Sequence, residues 1–542
     1  PTCDCAIFPH SRDFFSNLLG GFNWDVSYQH SKAKVNGSSA DVRTDRFAAA
    51  TDAVLDASGN IVCRPTLSSD PDVRARYAEC SPLNMFGLGG ASNEALDYVT
   101  GYAQFEAVTE FDEIEGTLSG DLFDLPAGAI SFAVGAGYRE STLDLTSNGD
   151  PRFPIDTTGL RNLAEGSLPF AVLNLSTANG SVEVKELFGE VVLPILDESS
   201  IAGMLELNGA ARQTDYSTSG NVTTWKVGGM WEPVDGLRFR ATRSRDIRAP
   251  NLYDQFNNGT ELQSVFSDPL LDESYVVDRV VQGNKNLEPE SSDSYTAGVV
   301  FEPNAVPGLM FSIDYYDISV EDAIQSPGIN TIARVCEESN GASSFCDLVI
   351  RNPDDNRATR IIDSPINIAE LQTSGVDIEV GYAKNIGPGV FSSRLFATYV
   401  DKFELQDTPF GTPTNFAGWT EGDLSSAGAV VPRVRANLLV NYSTDRWTLS
   451  AQERMVGRLK RGPINEWAED DLPAVFYTDL TVAFRPVIGD DELEVFLTVN
   501  NLFDKNPPKV ATGPSPGLHL STITEVYDVV GRQVVGGVRF NF

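Results

Sequence analysis

Six cysteines and three histidines are the residues of this chain with the clearest claim on covalent or metal chemistry, and their spacing decides what that chemistry is. Cys63 and Cys80 bracket the polar stretch CRPTLSSDPDVRARYAEC, and Cys336 and Cys346 bracket CEESNGASSFC. Pairs this close inside polar segments suit loop-closing disulfides in an oxidising compartment. Zinc needs tighter Cys-x-x-Cys or Cys/His spacing, and only His10, His30 and His519 could supplement the thiols, so no metal centre is expected. Cys3 and Cys5 have no evident partner. Catalysis is not expected either. There is no Gly-x-Ser-x-Gly elbow, no His-Glu-x-x-His and no phosphate loop, and neither His30 nor His519 has a persuasive Asp or Ser beside it.

Whatever chemistry remains is binding, and the elements that would position it follow from the pattern of the chain. The formal charge of -36 and pI near 4.3 leave no basic stripe for nucleic acid. No apolar run reaches the roughly 18 residues of a membrane helix. The opening PTCDCAIFPHSRDFF lacks the basic and apolar regions of a signal peptide, which points to an internal start. No linker divides the 542 residues.

Alternation with a period of two recurs instead. The terminal GRQVVGGVRFNF puts Val534, Gly536, Val538, Phe540 and Phe542 on one face and Gln533, Gly537, Arg539 and Asn541 on the other. Residues 446–460 oppose Trp447, Leu449, Ala451, Met455 and Leu459 to a polar face, with Glu453 as the exception. Residues 376–382, 434–442 and 476–485 repeat the pattern. Tight turns at 124–128, 197–200, 232–236, 302–308, 385–389, 443–446 and 486–491 alternate with polar excursions near 147–182, 249–291, 321–370, 406–429, 461–472 and 504–531 and a short one near 217–221. All the tight turns therefore fall on one side. This gives about sixteen antiparallel strands, with no convincing amphipathic helix between them. A soluble sheet of that width would split or leave long aggregation-prone edges, whereas closure in a bilayer satisfies every backbone group. The expected fold is a transmembrane up-and-down β-barrel, apolar outside and polar inside.

Several stretches resemble the TonB-dependent receptors of Gram-negative outer membranes: VKELFGEVVLPIL (184–196), LRFRATRSRDIRAPNLYDQF (237–256), GNKNLEPESSDSYTAGVVFEP (283–303), PGLMFSIDYYDISVEDAI (307–324) and LTVNNLFDKNPP (497–508), with the terminal strand. The resemblance covers residues 22–542 as barrel and leaves 1–21 as a partial N-terminal segment. It implies a 22-stranded barrel, an N-terminal plug, and coupling to the TonB-ExbB-ExbD complex. Neither the plug nor the coupling box is visible, so both, with about six strands, are expected to precede Pro1 or to form a separate piece. The resemblance also implies an outer-membrane location, contact with membrane lipid and lipopolysaccharide, and a terminal Phe542 read by barrel assembly machinery. Arg248–Asn251 (RAPN), Asn286–Glu290 (NLEPE) and NNLFDKNPP are assigned to architecture.

Ligands of such receptors meet the external loops. The candidates are Tyr253, Phe256 and Tyr275 in one excursion, Phe410, Phe416 and Trp419 in another, and Trp467 with Glu466, Glu469, Asp470 and Asp471 in a third. Aromatic faces stack on sugars or aglycones, and carboxylates hold hydroxyls, cationic peptides or calcium. The function expected is energy-coupled import of a scarce large nutrient: a siderophore, cobalamin, an oligosaccharide or a peptide. A passive porin is the alternative, and an adhesin or structural barrel the third reading.

Overall fold

A computed structural model describes residues 2–6, 22–87, 89–406, 411–420, 430–462, 470–488, 491–510 and 522–541, the side chains of 2–6, 261, 263, 487, 488, 491, 492 and 541 excepted. Its dominant feature is one antiparallel sheet of nineteen strands, sixteen of them nine residues or longer. These sixteen are β1 (Asn23–Val42), β2 (Thr100–Leu125), β3 (Gly128–Ser147), β4 (Ala178–Leu196), β5 (Met204–Tyr216), β6 (Gly220–Val234), β7 (Leu237–Arg248) and β8 (Glu290–Phe301). The series continues with β9 (Leu309–Gln325), β10 (Ile366–Ile386), β11 (Gly389–Gln406), β12 (Val434–Thr444), β13 (Trp447–Val456), β14 (Val475–Phe484), β15 (Asp491–Asn500) and β16 (Gln533–Asn541). Each pairs with the next, in chain order, as an up-and-down wall requires.

Short connections alternate with long ones, except that the side of the long ones also holds the three-residue turn 217–219 between β5 and β6. Two of the turns can only be glycine. Gly236 (φ +79°) and Gly308 (φ +87°) sit in the left-handed region, and a Cβ there would come within 2.2 Å of the Glu302 carbonyl and 2.0 Å of the Ala383 carbonyl, respectively. Each turn is tucked under the next hairpin; Glu302 N–H donates to Gly236 O at 2.7 Å.

Register carries one apolar face around the wall. Leu449 stands opposite Val482, Val482 opposite Leu497, and Leu497 opposite Gly536. Trp447 is 51% exposed, Leu449 49%, Leu497 50% and Val538 67%, so no second protein layer covers this face. A sandwich would have buried it; a barrel wall offers it to hydrocarbon. Near the turn side the same face carries the ring pairs Trp447–Phe484 (4.4 Å) and Trp231–Phe239 (5.5 Å). Nearer the excursions it carries the exposed Tyr138, Tyr295, Tyr315 and Tyr399. Two aromatic bands flanking an aliphatic one mark the two interfaces of a membrane.

The opposite face is charged and largely self-neutralised. Glu186 takes hydrogen bonds from Arg139 and Arg212, Asp314 from Arg240 (2.6 Å), Glu379 from Arg394 (2.6 Å), Asp479 from Arg454 (2.9 Å), and Glu494 from Arg485 (2.8 Å) and Arg539 (2.9 Å). Arg240 on β7 reaches Asp314 on β9 across the intervening β8. It can do so because the residue between is Gly298, where a Cβ would lie 1.9 Å from the Asp314 carboxylate.

Three expectations need correction. β13 stops at Val456, so Leu459 is fully buried among the excursions and does not belong to the apolar outer face. An amphipathic helix does occur: Ile329–Glu338 buries Ile332 and Ala333. A further excursion, residues 43–99, joins β1 to β2 and holds Cys63 and Cys80. Glu453, the exception on the apolar face, lies opposite Leu438 and Thr478 and accepts the Thr478 hydroxyl hydrogen at 2.6 Å. Phe542 lies outside the described residues.

The wall has a seam. Among the described residues β16 pairs only with β15, and the far side of β1 meets only Thr2–Ala6, over His30–Lys34.

If the outer face meets lipid, Leu497→Arg should destabilise the protein by roughly 2–4 kcal/mol, while Ser450→Arg on the inner face should change stability little. Urea unfolding from lipid vesicles measures both.

Candidate ligand-binding face

The excursions are not separate solvated loops; they lock together by hydrogen bonds, ion pairs and small cores. In residues 43–99 the buried Asp52 carboxylate accepts from Arg64 (3.1 Å) and, from the next excursion, Arg161 (2.8 Å), while Asn162 donates to Ala48 O at 3.0 Å. The end of that second excursion meets the third, with Ser176 donating to Gly259 O (2.7 Å) and Asn258 N–H to Thr177 O (3.0 Å).

The third and fourth excursions build a small sheet of their own, in the order Thr260–Asp268, Glu273–Val281, Ala358–Ile362, Val349–Arg351. Phe266, Ile332 and Ile361, all fully buried, form its core under the helix Ile329–Glu338. Asp268 is bound by Arg351 (2.7 and 2.9 Å), and Asp363 by Arg279 (2.6 Å). Burial would lift the Asp268 carboxyl, but hydrogen bonds from Arg351 and Tyr275 hold it below the usual carboxylate range. Asp52 follows the same pattern: burial pushes up, Arg161 and Arg64 pull further down.

The family-like motifs anchor these bodies. Arg248 forks onto Glu290, whose carboxylate also accepts Ile324 N–H at 2.7 Å. Asn251 caps the helix Leu252–Phe256 by accepting from Asp254 N–H (2.8 Å), and Gln255 is buried beneath it. Asn367 exchanges two hydrogen bonds with Glu288 (3.0 and 2.9 Å). In NNLFDKNPP the buried Asn501 (φ +50°) accepts from Lys505 N–H (2.7 Å) and donates to Lys505 O (3.0 Å), closing the turn after β15 with its side chain.

The aromatic candidates fare differently. Tyr253 is partly exposed. Phe256 lies over Gly180 beneath the Lys285 ammonium (5.4 Å), packed with Val182, Val184 and Tyr216. Tyr275 spends its hydroxyl on Asp268 (2.5 Å) and Ala358 N–H (2.8 Å). Phe416, at 4% exposed, is buried against Ala369 and Leu405 and has no face for a ligand. Trp419 faces the Lys460 ammonium at 5.6 Å. Asp470 receives Arg461 N–H at its backbone carbonyl (2.9 Å) and Asp471 pairs with Arg458 (3.1 Å). Phe410, Glu466, Trp467 and Glu469 lie outside the described residues. Cys63–Cys80 and Cys336–Cys346 are disulfides. Among the described residues no three His, Cys, Asp or Glu side chains converge on a possible metal position. His30 does have a partner, contrary to expectation: its Nδ1 is 2.8 Å from Asp112, which also accepts the Tyr28 hydroxyl hydrogen at 2.6 Å.

A cavity of about 490 Å³ opens where the second, third and fourth excursions meet. Arg152, Glu165, Asn258, Asp278, Gln282 and Arg360 contribute polar atoms; Pro151, Pro154, Leu168 and Val280 contribute apolar ones. Arg152 is held by Asp150 at 2.7 Å. The volume falls in the usual range for small-molecule sites. Sequence reasoning missed it because its residues come from three distant segments and none is aromatic.

A family model for the TonB dependent receptor-like β-barrel matches residues 8–502. Among solved structures, the siderophore receptor PirA from Acinetobacter baumannii is similar with a TM-score of 0.54 at 15% identity, over 95% of this chain and 59% of that one. A mutant of the ferric enterobactin receptor PfeA from Pseudomonas aeruginosa gives 0.55 at 15%, over 96% and 59%. At such identity the likeness is of fold, and the chain spans about 59% of their length.

The depressed Asp268 pKa fixes a sign. Its ion pair contributes fully above the ordinary aspartate value of about 3.9, and that contribution is lost as pH falls through the lower folded value. Hydrogen exchange corrected for intrinsic rate should show residues 260–281 loosening only under such acid conditions. Asp268→Asn should cost on the order of 3 kcal/mol at neutral pH and abolish that pH dependence.

Proposed function

The chain belongs to the TonB dependent receptor-like β-barrel family, and from that premise we propose that it is the barrel portion of an energy-coupled importer in the outer membrane of a Gram-negative bacterium. The observation that carries the proposal is the pairing of a lipid-compatible wall with interlocked excursions gathered on one side around a cavity. On this reading the short turns face the periplasm and the excursions face the outside. Cargo is caught outside, and work supplied through TonB-ExbB-ExbD, by an N-terminal plug and coupling segment, releases it inward.

The seam between β16 and β1 is where we place the family's remaining strands, outside these 542 residues. We assign no catalytic role. The His30–Asp112 pair lies on the outward face, with the Tyr28 hydroxyl bonded to Asp112 and Glu140 opposite it.

Siderophores enter as candidate cargo through the similar receptors, with cobalamin, oligosaccharides and peptides beside them. The cavity adds a preference. Its lining carries both signs, with Arg152 held by Asp150 and Glu165, Asp278 and Arg360 around the same space, so polar cargo able to donate and accept hydrogen bonds is favoured there.

Dissipating the proton gradient in cells that carry the full-length protein should abolish cargo uptake while surface binding persists. Uptake that continues down a concentration gradient would sink the importer reading and favour the porin.

A further inference from the structure

The small sheet built by the third and fourth excursions ends, on one side, in the strand Thr260–Asp268. Its residues pair with Glu273–Val281 without a register shift, and among the described residues no strand pairs with its other edge. The Ser267 N–H donates to Asn330 Oδ1 at 3.1 Å and so points away from the partner strand. Backbone groups of an antiparallel strand turn the same way at every second residue, so Val265, Gln263 and Glu261 present their N–H and C=O to the same open edge. Those of Val265 have no bonded partner among the described residues. Proteins ordinarily blunt an exposed edge with lysine, proline or a bulge; TELQSVFSD carries none of them.

The face beside the edge is equally uncovered. Val265 stands opposite Val276, and the two are 71% and 57% exposed. The other face is closed, with Phe266 and Val277 buried in the core that includes Ile332 and Ala333 of the helix. Asp278 and Val280 share the face of Val276 by alternation and line the cavity of about 490 Å³, as does Thr260 at the start of the edge. At that end Ser176 Oγ lies 2.5 Å from Thr260 Oγ1, and at the other Asn330 holds Ser267, so the open stretch is bounded to residues 261–266. Donor and acceptor recur along it at about 6.8 Å, twice the rise per residue of a strand. The group that matches such a row is the backbone of another extended chain.

We propose that the open edge of Thr260–Asp268 captures an extended polypeptide segment of the cargo, which adds to the four-stranded small sheet as one more strand. The Val265 backbone exchanges hydrogen bonds with the segment, and an apolar side chain of the segment covers Val265 and Val276. Strand addition rests on the importer reading above and narrows its cargo: of siderophore, cobalamin, oligosaccharide and peptide, only peptide offers a regular ladder of N–H and C=O groups. Main-chain bonds supply the affinity, and side chains on the cavity side of the added strand supply the selectivity.

The test uses the full chain in non-ionic detergent. Its probes are a short blocked peptide of alternating threonine and valine and the analogue whose central amides are esters, which keeps the side chains and removes the N–H donors. Calorimetry should show the amide peptide binding about tenfold more tightly than the ester, as expected for lost backbone hydrogen bonds. Hydrogen exchange at the Val265 amide should slow only when the amide peptide is present. Val265→Pro removes an N–H that the pairing with Glu273–Val281 does not use. It should weaken peptide binding about tenfold and leave exchange at Leu262, Ser264 and Phe266 unchanged. No binding of the amide peptide, equal binding of amide and ester, or equal binding by wild type and Val265→Pro each overturns the proposal. Should Val265→Pro fail to fold, Val265→Lys, which keeps the backbone and places a charge at the edge, must weaken binding; unchanged binding overturns it equally. A wild type that is dimeric, with Val265 protected before peptide is added, gives the edge to a second copy and overturns it too. Peptide that binds at the edge but never enters energised cells carrying the full-length protein sinks the importer reading instead and leaves the strand addition standing.

Discussion

Hydrocarbon offers no hydrogen bonds, and that single fact governs this wall. A backbone N–H or C=O facing lipid must find its partner in the neighbouring strand, so strands have to follow one another without a gap. The side chains that project outward must tolerate the same solvent, which is why Trp447, Leu449, Leu497 and Val538 stay exposed when the protein is considered alone. The turns obey the constraint as well. Gly236 and Gly308 let the short connections tuck beneath adjacent hairpins, so that carbonyls at the rim are bonded.

The inner face solves a different problem. Turned away from lipid, it carries the charges that could not face outward, and each arginine named there bonds to a carboxylate on its own or a nearby strand. Exposed pairs of this kind stabilise little individually. Their effect is on register: Arg240 can reach Asp314 only across a glycine, so the pair fixes β7, β8 and β9 against slipping as well as neutralising two charges. A slip by one residue would exchange the inner and outer sets entirely.

How much of this the sequence discloses depends on the range of the interaction. Alternation is local, so the outer face of β13, β14 and β16 can be read directly from residues such as Leu449, Val482 and Val538. Tight turns are local too, and both disulfide pairs sit within short segments. Leu459 continues an alternating run on paper, yet it belongs to a buried cluster, because Gly457 ends the strand geometry before it and period two cannot tell lipid from protein as the cover for a leucine. The Asp52–Arg161 and Arg351–Asp268 locks, the small sheet with its helix, and the cavity at Glu165 and Asp278 join segments far apart in the chain. Phe416 and Tyr275 illustrate the same limit: an aromatic in a polar stretch is equally compatible with a ligand contact and with a small core, and only the fold decides.

Wall and excursions therefore draw stability from unlike sources. The wall depends on a bilayer to make its outer face acceptable, whereas the excursions carry disulfides, buried ion pairs and a core around Phe266 and Ile361 that need no lipid. Because the second, third and fourth excursions are bonded to one another, access to the cavity between them is governed by packed bodies anchored at roots such as Arg248–Glu290, not by independently flexing strings. Opening such a site requires either a shift of a whole body about its root or the loss of an inter-excursion lock such as Ser176 to Gly259. That division of labour frees the excursion side from the constraint that hydrocarbon places on the lipid-facing surface.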